Sequence, residues 1–180
     1  MYDFNVDVYS RKITTSSAEA QIWFDRGLVW TYSYNHEQAI ECFHKALEHD
    51  PACAMAHWGV AYAVGPNYNF EWWMMDPETK SNALATAYDN TQAALSVVSN
   101  VTAPERSLIE ALSARYPQRD PIEEQRPWND NFAAAMKKAF EVKPTNVRMP
   151  NCLPSSRTPQ IKSGILKSQI MSPIGMRLPD

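Results

Sequence analysis

All four histidines and two of the three cysteines fall in one window: His36, Cys42, His44, His49, Cys53 and His57. Imidazole nitrogen and thiolate sulfur are both zinc ligands. Cys53 and His57 stand four residues apart, which puts both side chains on one face of a helix, and His49 lies just upstream. Against a metal site stands the absence of any CxxC pair or HExxH motif. Helix packing already explains these positions, so the histidines are read as surface or half-buried side chains, and no metal or cofactor is expected. A glycine-rich phosphate loop and a GxSxG nucleophile elbow are missing as well. No catalytic residue is assigned, and an enzyme is not supported.

The elements that must position this window are two short amphipathic helices between Ala20 and Pro51. Ala20, Trp23, Phe24, Gly27, Leu28 and Thr31 follow the spacing of one helical face, and Ala39, Ile40, Phe43, Ala46 and Leu47 form a second stripe. Tyr34-Asn35-His36 interrupts the pattern, with Asn35 and Gln38 spaced as a capping box. Gly27 costs about 1 kcal/mol in a helix interior relative to Ala, so a close partner is expected. That partner is placed near Ala39 and Ala46, with Trp23, Trp30 and Phe43 around the contact.

Trp23, Gly27, Trp30, Ala39, Phe43, Ala46 and Pro51 fall at the spacing of a tetratricopeptide repeat, which this stretch resembles. Arg26 replaces the usual Leu, and Trp30 the usual Tyr. Ile13–Leu28, Ala46–Asn69 and Ala111–Pro117 further resemble the N-terminal part of a larger, poorly characterised tetratricopeptide family of fungi and bacteria. That resemblance implies helical-repeat architecture and brings no catalytic residues.

Cap signals place the remaining helices. Ser16 and Glu19 are expected to cap the first, which runs to about Ser33. Asp50-Pro51 is expected to start a third helix over 52–64, and Asp76-Pro77 a fourth reaching about Val98. Thr102 with Glu105 opens a fifth, and Pro127 a sixth. The expected fold is all-α, a tetratricopeptide-like helical repeat of about three irregular helix pairs. Residues 1–15 are expected to lie extended across the first helices, although their alternation also fits a strand. Residues 16–144 form the repeat domain. Residues 145–180, with five Pro and no aromatic residue, read as a disordered or non-native tail.

Two surfaces are candidates for binding. The insert after Gly65-Pro66 is dense in aromatics, and Asn67, Tyr68, Asn69 and Trp72 are its candidate contacts. Packing over neighbouring helices is the competing account of that loop. By the repeat resemblance, the first helix of each pair lines a concave groove that binds an extended or helical peptide. Gln21, Phe24, Asp25, Leu28, Met55, Trp58 and Tyr62 then face a ligand, unless residues 1–15 or further helices cover them. Relatives that hold a C-terminal carboxylate use Lys and Asn in this groove. Phe24 and Leu28 stand in the corresponding places here, which favours an apolar or aromatic peptide instead.

Composition limits the partners. Residues 1–144 carry 12 Lys and Arg against 19 Asp and Glu, which argues against nucleic acid or an anionic membrane. No run of apolar residues is long enough to span a bilayer, the N-terminus lacks an apolar signal core, and the odd cysteine count fits reduced thiols. A cytoplasmic protein–protein interaction scaffold or adaptor is the expected role. The alternative is the N-terminal fragment of a larger enzyme or metal-binding protein whose site is incomplete. Phe132, Met136, Ala139 and Phe140 are expected to leave an open end able to self-associate or bind another helix.

Overall fold

The computed structural model describes residue 6 and residues 9–141, the last by its backbone alone. Expectations for 145–180, and for most of the first eight residues, lie outside the described residues. Within them the chain is all-helical: α1 (Ala18–Tyr32), α2 (His36–His49), α3 (Ala54–Val64), α4 (Pro77–Ser96), α5 (Ala103–Arg115) and α6 (Arg126–Glu141). Each helix packs on the next, and α3 also touches both α1 and α5. The pairs α1–α2, α3–α4 and α5–α6 therefore stack as a helical repeat, with the first helix of each pair brought to a shared face.

Most helix starts follow the capping chemistry of the sequence, with two corrections. Ser17, not Ser16, caps α1, its Oγ accepting the Ala20 N–H at 3.1 Å. The third helix starts at Ala54 rather than at residue 52. Asp50 is the cap that ends α2, and its Oδ1 accepts the Ala52 N–H at 3.2 Å, so Pro51 and Ala52 form a turn before α3. Asn35 caps α2 as expected, accepting from the Gln38 N–H at 3.2 Å. The Gln38 side chain turns instead to Glu41, so the box is only half made. Asp76 accepts from the N–H groups of Glu78 and Thr79, both at 3.0 Å, and Pro77 stands at the first helical position of α4.

The core runs through all three pairs. Phe43 lies at its centre, between Gly27 of α1 and Gly59 of α3; a Cβ built on either glycine would strike its ring. The close partner of Gly27 is thus this ring rather than the backbone near Ala39 or Ala46. Phe24 packs on the same ring with centroids 5.6 Å apart. Further along, Trp58 of α3 donates its Nε1–H to the Leu108 carbonyl of α5 at 3.2 Å, which ties the second pair to the third.

Candidate functional site

An extended segment of the chain itself, residues 9–15, bridges α1 and the start of α5, two of the first helices of the pairs. Gln21 of α1 holds it as a neighbouring strand would. Its Oε1 accepts the Ile13 N–H at 3.0 Å and its Nε2 donates to the Arg11 carbonyl at 2.8 Å. The two groups flank Lys12, so one side-chain amide replaces the main chain of a parallel strand opposite that residue. Asp25, one helical turn further along α1, accepts the Arg11 N–H at 2.9 Å and the second Gln21 N–H at 3.0 Å. These contacts read main-chain groups, so they place no demand on sequence.

The demand on sequence comes from the next three residues. The Ile13 side chain is 5 % exposed and joins the core cluster. Thr14 donates both its N–H, at 2.7 Å, and its hydroxyl, at 2.6 Å, to the two oxygens of Glu105. The Thr15 hydroxyl donates to Asp50. Glu105 also accepts the N–H and hydroxyl of Thr102, the start of α5. Burial alone raises the Glu105 pKa, but the hydrogen bonds from Thr102 and Thr14 outweigh it and hold the carboxyl below its ordinary value. A charged carboxylate buried at the start of α5 thus clasps a hydroxyl delivered from the N-terminal segment.

The seven groove positions divide into three groups. Gln21 and Asp25 hold the extended segment. Phe24, Leu28 and Met55 are buried in the core, each at 1 % exposure or less. Trp58 is buried at the α3–α5 contact and stacks on Tyr62, centroids 5.1 Å apart. Tyr62 is half-buried, and burial pushes its phenol up to about 12. Glu105 and Asp50 complete the set that holds the segment. In the sequence Glu105 reads only as a capping residue and Asp50 only as a helix signal, because their partners lie 91 and 35 residues away.

In the insert, Asn67 and Phe70 exchange backbone hydrogen bonds, and the Asn69 N–H donates to Asn67 Oδ1 at 2.9 Å. A single 3₁₀ turn, Trp72–Met74, follows. Trp72 is buried edge-on against Tyr116, centroids 6.5 Å apart. Tyr68 and Asn69 are exposed, and the outward indole is that of Trp73, 77 % exposed. Only part of the aromatic loop is therefore available to a partner; the rest packs as core.

The histidines and cysteines do not converge. Among the described residues no three His, Cys, Asp or Glu side chains gather as a metal set. Cys42 and Cys53 are buried and form no disulfide among the described residues, and burial pushes the Cys53 thiol up to about 11. His57 bridges Asn90 Oδ1, at 2.9 Å, and the Pro51 carbonyl, at 3.2 Å. No helix among the described residues is long and apolar enough to cross a membrane.

Residues 20–53 match the sequence model of the tetratricopeptide repeat family. No curated protein and no solved structure matches the chain.

Proposed function

We propose that this chain, a protein of the tetratricopeptide-repeat type, works as a protein–protein interaction scaffold that grips an extended segment of its partner on the face of α1, α3 and α5. The observation that carries this is the Gln21 amide, paired to a carbonyl and an N–H of extended chain at 2.8 and 3.0 Å. A side chain so arranged recognises a strand by its backbone, the means by which a scaffold holds peptides of varied sequence. The acidic balance of the repeat domain leaves nucleic acid and membrane outside this role, and the reduced thiols fit a cytoplasmic setting.

Selection of a displayed random-peptide library on the full chain tests it. Binders carrying a photoreactive residue should cross-link to α1 and α3, at or near Gln21 and Tyr62. Cross-links confined to Tyr68 and Trp73 of the insert, or to Phe140 on α6, would contradict the assignment.

A further inference from the structure

Residues 9–15 are not merely packed on the binding face; they make the contacts that a ligand there would make. Three N–H groups and one carbonyl of this segment are taken up by side chains of α1 and α5. One aliphatic side chain is buried and two hydroxyls are clasped by carboxylates. Main-chain contacts account for holding an extended chain, and Ile13 with Thr14 account for choosing which one.

Resting on the groove reading above, we infer that residues 9–15 are an internal competitor occupying the partner's place. The external ligand is an extended segment in which a bulky aliphatic residue is followed by threonine. Such a ligand binds when the resident segment lets go. The internal copy has two advantages and one weakness. It is tethered only a few residues before α1, which gives it an effective concentration on the order of millimolar. Its hydroxyl clasp on Glu105 is charge-assisted. However, among the described residues it lies outside every helix, so its release breaks no hydrogen bond within the six helices. The groove is thereby closed to weak ligands and open to those that outbid a tethered segment.

The clasp also shows how to open it. Thr14→Glu removes the hydroxyl donor and sets a second carboxylate against Glu105, while leaving Gln21, Asp25 and Glu105 in place for an incoming chain. The probe is a fluorescein-labelled peptide with the native sequence of residues 9–17, titrated by anisotropy into the full chain and into its Thr14→Glu and Ile13→Asp variants. Both variants should bind it at least about 10-fold more tightly than the native chain does. The gain should vanish when Gln21→Ala is added to Thr14→Glu, and when the peptide itself carries Ile13→Asp.

Equal binding by native chain and variants would overturn the competitor while leaving the groove as a peptide site. Failure of the peptide to bind either variant, with native-like circular dichroism, would show that the groove does not take this segment in trans. Peptides found by library selection would then stand or fall separately. Hydrogen exchange on the native chain keeps the inference testable if both variants unfold. The amides of Arg11, Ile13 and Thr14 should exchange well before those of α3, and equal protection would overturn it by making the segment a permanent part of the core.

Discussion

Phe43 shows at the scale of one residue how the repeat closes. Its ring is fully buried between two glycines on different helices, and an added Cβ on Gly59 would lie 2.6 Å from ring carbons. In an isolated helix Gly→Ala gains about 1 kcal/mol. Here the ring has no direction of retreat, because Gly27 lines its other side, and overpacking costs about 1–3 kcal/mol. Gly59→Ala should therefore lower stability in chemical denaturation by up to about 2 kcal/mol, the excess of the second effect over the first. A stabilised variant would show that the ring can move. Glu105 gives a second expectation at this scale. Its folded pKa lies below the ordinary 4.5. The contribution of its clasp to stability is thus complete above that value and is lost as pH falls through the lowered folded pKa. Glu105→Gln should weaken the chain at neutral pH by about 1–3 kcal/mol and flatten its acid-side melting profile. An unchanged pH profile in the variant would place the acid dependence elsewhere.

Elements divide by how local their determinants are. Asn35, Asp76-Pro77 and Thr102 with Glu105 set helix starts through partners at most three residues away, and these were legible in the sequence. The start of α3 was not, because Asp50 spends its side chain on Ala52 and Thr15, and Thr15 is 35 residues upstream. The groove was half legible for the same reason. The repeat resemblance offered Gln21 and Asp25, which hold the extended segment, and with them Phe24, Leu28 and Met55, which the core absorbs. Periodicity marks a face without telling whether a helix, a loop or a ligand covers it. The turn between α1 and α2 adds a case that spacing could not reach. Tyr34 adopts φ 62°, while the Tyr34 and Asn35 N–H groups bond back to the carbonyls of Thr31 and Trp30. This is the helix-ending motif that usually places Gly at the left-handed position. Tyr34→Gly should relieve the strain of a β-carbon there, and the chain should gain about 0.5–1 kcal/mol after the entropy cost of glycine. A denaturation midpoint that falls instead would assign Tyr34, whose ring stands edge-on to His36 at 6.3 Å, a packing role that exceeds the strain.

At the scale of the molecule, the three pairs share one core, and their first helices share one face. The far end of the array is better covered than the apolar stripe of α6 implies. Phe132 and Met136 are 6 % and 7 % exposed, because α5 and the buried Arg115 guanidinium, 4.8 Å from the Phe132 ring, pack over this stripe. Phe140, at 80 % exposure, is the large side chain of that stripe left outward. Self-association through this end is proposed to rest on that one ring. Sedimentation across a concentration series should show oligomers that Phe140→Glu abolishes, and a strictly monomeric native chain would remove the proposal. The face of the first helices is the opposite case, since a segment covers it, held by hydrogen bonds and by Ile13 and Tyr9 packed on the core.

The central claim is that this face grips extended chain by its backbone. The most direct measurement is a ¹H–¹⁵N titration of the labelled full chain with a peptide obtained by selection. The account predicts that the amide signals of Arg11, Ile13 and Thr14 move together toward positions of unbonded chain as the peptide saturates. The Gln21 side-chain amide should remain hydrogen-bonded at a new position, and the Trp73 indole signal should stay where it was. Saturation that shifts the Trp73 indole and leaves the Gln21 amide and the three backbone amides untouched would contradict it.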